Sequence, residues 1–148
     1  MRQTEKDSGE RGSAVIEGAL VLLLLFTLVF AIWEAGRLFN VQEVVTNAAR
    51  EGARLAVAPD AGTLPGVLPS DSEVQSRVND FLAASSIQGA TVTINDGGGV
   101  ASPIVIDENE FTKVRVQVNH SFLRLPIFGP MLDVTVSGES VMRNETSP

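Results

Sequence analysis

The chain has 148 residues, 44% of them apolar, which suits one modest domain and a membrane helix and is too short for two large domains. It contains no cysteine, so a disulfide scaffold, a thiol nucleophile and Cys-ligated zinc are excluded. A net charge of -7, with 11 Lys and Arg scattered along the chain, argues against nucleic acid as a partner, because phosphate neutralisation needs clustered bases.

Residues 1–12 mix three bases (Arg2, Lys6, Arg11) with three acids (Glu5, Asp7, Glu10) and show no apolar periodicity, so a short solvated leader is expected. From Ser13 to Trp33 the sole charge is Glu17. As a helix this run rises roughly 31 Å, the thickness of a bilayer's hydrocarbon core. Leu20 to Phe26 and Leu28 to Trp33 are apolar on every helical face, which a small soluble domain has no means of covering. A secretory signal peptide is the competing assignment. Its h-region would be shorter, and no A-x-A-like polar stretch or helix breaker follows Trp33.

Helical periodicity continues past Trp33, with Leu38, Val41, Val45, Ala48, Gly52 and Leu55 recurring at steps of three and four. The small residues Ala48, Ala49, Gly52 and Ala53 form a helix-packing face for close backbone approach, either to the chain's own sheet or to a neighbouring subunit. Pro59 ends this helix. Residues 58–69, with three prolines and two glycines, are expected to be a loop, and Ser70 and Glu73 have capping-box spacing at the start of a helix that buries Val74, Val78, Phe81 and Leu82. Beyond Gly89 the period changes to two: Val92 and Ile94, Ile104 and Ile106, Val114, Val116 and Val118, then Val134 and Val136. The connections are too short for parallel crossovers. The expected fold is therefore α+β: a long N-terminal transmembrane helix, then a small antiparallel sheet of about four strands with one packed helix. The corresponding organisation is leader 1–12, helix 13–58 and extracytoplasmic domain 59–148.

Arg11-Gly12-Ser13-Ala14-Val15-Ile16-Glu17 places a basic residue and a glycine at the end of the leader and one acid five residues into the apolar helix. A carboxylate in lipid costs about 2.5 to 3.5 kcal/mol at mid-span and less near an end, so an acid kept there is expected to have a partner. The heptapeptide resembles the prepilin peptidase site of type IV pilins and pseudopilins. The resemblance implies cleavage after Gly12, Ser13 as the new N-terminus, and Glu17 as the acid that meets a neighbouring subunit's Ser13 amine. Gly18-Ala19-Leu20-Val21, Trp33-Glu34-Ala35-Gly36-Arg37, Asn47-Ala48-Ala49-Arg50-Glu51-Gly52-Ala53-Arg54 and the ending Val141-Met142-Arg143-Asn144-Glu145 further resemble the TadE family of tight-adherence (Tad, or Flp) pilus assembly. One departure is Gly18, where such pseudopilins often carry an aromatic. The family implies a pilin-like fold and a minor pilin or pseudopilin anchored in the cytoplasmic membrane. Its partners would be the bilayer, a prepilin peptidase, other pilus subunits and assembly-platform membrane proteins. The alternative is a single-pass, unprocessed binding, sensory or adhesion module.

No enzyme is expected. One histidine, His120, builds no His-paired metal site and reads as a packed or edge residue. Asp107 to Glu110, with Asn95 and Asp96, lack the glycine turn and terminal bidentate Glu of a calcium loop and read as solvated loop. Gly97-Gly98-Gly99 has no phosphate-loop spacing and reads as a hairpin or flexible loop. Ser residues without a second histidine or a G-x-S-x-G elbow form no triad. No cofactor and no metal are expected. Leu123 to Leu132 is apolar but broken by Pro126, Gly129 and Pro130, and is expected to be a loop that covers one end of the sheet, the alternative being a partner-binding or membrane-grazing loop.

Overall fold

The computed structural model describes residues 4–59, 67–125 and 129–144, with side chains described for 12–59, 67–121 and 133–144. The chain divides into two units, Met1–Arg37 and Leu38–Pro148. The first is the N-terminal part of helix α1 (Thr4–Val57). The helix begins within the expected leader rather than at Ser13. Nothing in 4–12 is a proline, and acids at residues 5, 7 and 10 suit the positive end of the helix dipole. The C-terminal end falls where Pro59 requires it, with the Ala58 N–H donating to Leu55 O at 3.2 Å.

The second unit starts inside α1, because residues 38–57 belong to its core. Helix α2 (Asp71–Ala84) follows, opened by the expected capping box: Ser70 Oγ accepts from the Glu73 amide, and the Ser70 amide donates to Glu73 Oε2 at 2.7 Å. Val74, Val78 and Leu82 are its buried stripe, whereas Phe81 stays 38% exposed.

The sheet is antiparallel, with strands β1 (Thr91–Ile94), β2 (Ile104–Ile106), β3 (Asn109–Leu125) and β4 (Gly129–Arg143). β3 pairs with β4 from Phe111↔Arg143 to Leu125↔Gly129. Its other edge is shared: β1 pairs from Thr91↔Gln117 to Ile94↔Val114, and β2 from Ile104↔Phe111 to Ile106↔Asn109. β1 and β2 thus form one edge strand interrupted by an excursion over residues 95–103. The expected loop at 123–132 is instead a hairpin end on the described backbone, with β3 running to Leu125 and β4 resuming at Gly129. Pro130 sits in an edge strand, where a missing N–H is tolerated. Residues 60–66 of the expected proline-rich loop lie outside the described residues.

Valine alternation on β3 gives one dry face, with Val114, Val116 and Val118 buried and Lys113, Arg115 and Gln117 on the other side. Against it lie Val45, Ala48, Ala49, Ala53 and Ala56 of α1, closed over by α2. Small residues bring the backbones close. A Cβ on Gly52 would stand 2.6 Å from Val78 Cγ2 and 3.2 Å from Val114 Cγ1. One on Gly138 would stand 2.7 Å from the backbone N of Thr46, so β4 passes nearly against α1 there. Gln42 Nε2 donates to Ser137 O at 2.9 Å beside that crossing.

Candidate processing and membrane-anchoring segment

The first unit holds the residues on which the sequence argument turns. Gly12, Ser13 and Glu17 lie on α1 and are exposed, and a Cβ on Gly12 would meet nothing within 4 Å. Ser13 and Glu17 are four residues apart, on one face and about 6 Å apart along the axis. Among the described residues none pairs with Glu17. The apolar run beyond it is bare on all sides: Val15 is 72% exposed, Leu24 71% and Trp33 60%. Exposed apolar surface costs about 25 cal/mol per Å² in water, so this segment requires lipid or another protein around it. Thr27, the hydroxyl within the run, is satisfied internally by donating to Leu23 O at 2.8 Å.

At the C-terminal end of this run the helix carries a cluster set by three- and four-residue spacing. Phe30 and Trp33 meet edge to face, with centroids 6.3 Å apart at 71°. The Arg37 guanidinium lies 5.7 Å from the centre of the Trp33 ring, and its Nη1 donates to Glu34 Oε2 at 3.0 Å. In sequence, Trp33 marks the end of the apolar run and residues 33–37 a family motif, and neither feature points to this cluster. The i,i+4 spacing of Trp33 and Arg37 was the available signal.

Ala48, Ala49, Gly52 and Ala53 are buried within the second unit, where α1 meets its own sheet and α2. The motif's charges are also used locally. Glu51 accepts from Arg54 Nη2 at 3.0 Å and from Arg77 Nη2 at 2.8 Å, joining α1 to α2, and these two guanidiniums hold its carboxyl down at about 2. Arg50 is exposed.

The other sequence candidates are structural. Asn95, buried at φ 45°, donates from Nδ2 to Gly99 O at 2.9 Å and accepts the Lys113 amide at 2.7 Å, so its side chain replaces the ladder where β1 stops. The Val100 amide donates to Asp71 Oδ1 at 2.7 Å, which fastens the glycine excursion to the start of α2. This tethered excursion is neither the hairpin nor the flexible loop expected at Gly97 to Gly99. Lys113 pairs with Asp96 and lowers the Asp96 carboxyl pKa. Asp107 and Glu108, both at positive φ, form the turn between β2 and β3, while Asn109 and Glu110 belong to β3 and not to the expected loop. Among the described residues no group of His, Asp and Glu is arranged to hold a metal. His120 is half-buried on β3, opposite Val134.

Fold and segment together define a class: an α+β domain carried on an N-terminal helix that is long and apolar enough to cross a membrane. Residues 12–54 match the family model described as TadE-like protein, the family the motifs resemble, and the match runs from Gly12 through the Asn47 to Arg54 motif. Neither a curated protein nor a solved structure matches the chain.

Proposed function

We propose that this chain is a minor pilin or pseudopilin of Tad (Flp) pilus assembly, anchored in the cytoplasmic membrane by residues 13–33 with its C-terminal domain outside. It is processed by a prepilin peptidase between Gly12 and Ser13, and it acts by packing against other pilus subunits and assembly-platform proteins, not by catalysis. The observation that carries this reading is Glu17, a lone acid on a bare apolar helix, one turn after a Gly-Ser pair, inside the stretch that matches the TadE-like model. In lipid such a carboxylate is costly without a partner, and the amine created at Ser13 of a neighbouring subunit is a matching one. Because α1 continues through Gly12, the peptidase must unwind that turn to reach the bond. Gly9 and Gly12 each weaken the helix by about 1 kcal/mol relative to alanine, which lowers that cost.

Glu17→Gln tests the reading in cells that build the pilus. The expected outcome is a chain that still enters the membrane and is still shortened, with pilus recovery reduced. Pili recovered at wild-type yield would remove Glu17 from assembly, and with it the observation that carries this reading.

A further inference from the structure

We propose that Phe30, Trp33 and Arg37 form a headgroup-level anchor, with the Arg37 guanidinium meeting a phospholipid phosphate and the two rings seated at the hydrocarbon boundary. This rests on the reading that residues 13–33 span a bilayer, and it fixes where the span ends. Trp33 is 60% exposed and Arg37 45% exposed, so the cluster faces outward from the helix. The guanidinium is held in place from two sides, by the Trp33 face at 5.7 Å and by Glu34 through Nη1 at 3.0 Å. Among the described residues its Nε and Nη2 edge has no protein acceptor, and that edge matches phosphate oxygens in the two-pronged geometry that arginine favours. The amphipathic Trp33 indole with a cation beside it fits the membrane–water interface better than either water or hydrocarbon, and the apolar Phe30 ring packs on its hydrocarbon side. Depth follows by helical rise. Ser13 lies about 30 Å before Trp33, the thickness of the hydrocarbon core. An anchored Trp33 therefore puts Gly12 and Ser13 at the opposite surface and Glu17 about one turn inside it.

Trp33 is the single tryptophan and the chain has no tyrosine, so its fluorescence reports this position alone. The experiment places the full chain in phosphatidylcholine vesicles carrying a quencher either near the headgroup or near the acyl-chain end, with iodide as the aqueous quencher. The shallow lipid label is expected to quench Trp33 more than the deep one, and Arg37→Leu is expected to shift the balance toward the deep label. A second variant, Val29→Trp with Trp33→Phe, keeps Arg37 and moves the reporter about 6 Å inward, where the deep label is expected to dominate. Dominance of the deep label at Trp33, or a ratio unchanged by Arg37→Leu, overturns the anchor. So does quenching by iodide alone in a chain that floats with the vesicles, and in that case the span itself stands. A chain that does not float with vesicles sinks the spanning reading and the anchor together.

Discussion

Gly138 is a residue where an added Cβ would run into main chain and not into a movable side chain. Any Cβ there meets the α1 backbone at Thr46 and Val45, which shift only with the whole helix. Gly138→Ala is expected to destabilise the domain by about 1 to 3 kcal/mol, the usual cost of overpacking, read as a lower thermal midpoint of the full chain in detergent. Asn144 is the polar counterpart. It is 2% exposed, its side-chain oxygen accepts from Thr112 Oγ1 at 2.7 Å, and its backbone N–H donates to Glu110 O at 2.9 Å. Asn144→Ala strands the buried Thr112 hydroxyl at a cost of about 1 to 3 kcal/mol, and Thr112→Val in the same chain is expected to recover part of the loss. Glu51 makes a pH-dependent contribution. Its folded-state pKa, about 2, lies below the ordinary 4.5, so the stabilisation is complete above about pH 4.5 and is lost as the pH falls toward 2. With Arg54 and Arg77 more than half exposed, the contribution is about 1 kcal/mol. Acid titration of unfolding should be shallower in Glu51→Gln across that window, and an unchanged titration curve would contradict the assignment.

At the scale of elements, α2 depends on its first turn. Ser70→Ala removes both the cap on the Glu73 amide and a partner of the Glu73 carboxylate, at an expected cost of about 1 kcal/mol, measurable by urea unfolding. This cap was legible because S-x-x-E spacing is local, and β3 was legible because valines every second residue leave its dry face unambiguous. The α1 packing face could be seen but not its partner: Ala48, Ala49, Gly52 and Ala53 fit any close-packed surface, and only the fold shows that α2 and the sheet occupy it. The interrupted edge strand was hidden for a different reason. It depends on Asn95 turning to positive φ and satisfying Lys113 and Gly99 with one amide, a tertiary arrangement with no periodic trace in sequence. The hairpin end was hidden because Pro130 and Gly129 signal a turn locally, whereas pairing with the long β3 keeps that backbone in register.

At the scale of the whole molecule, two halves of one helix are built for different surroundings. Residues 13–33 offer apolar side chains on every face and a single acid, and residues 38–57 offer one small-residue face and a polar remainder. The first suits lipid and the second suits a protein core, so α1 carries a change of environment along a single element. The match to the TadE-like model spans both parts, from Gly12 to Arg54. The most direct measurement is the N-terminal sequence and intact mass of the chain from its native membranes, beside a Gly12→Ala variant. A wild-type chain that begins at Ser13, with the variant left uncleaved, is the predicted result. A chain that keeps residues 1–12 in cells with an active prepilin peptidase would contradict processing and leave a membrane-tethered module in its place.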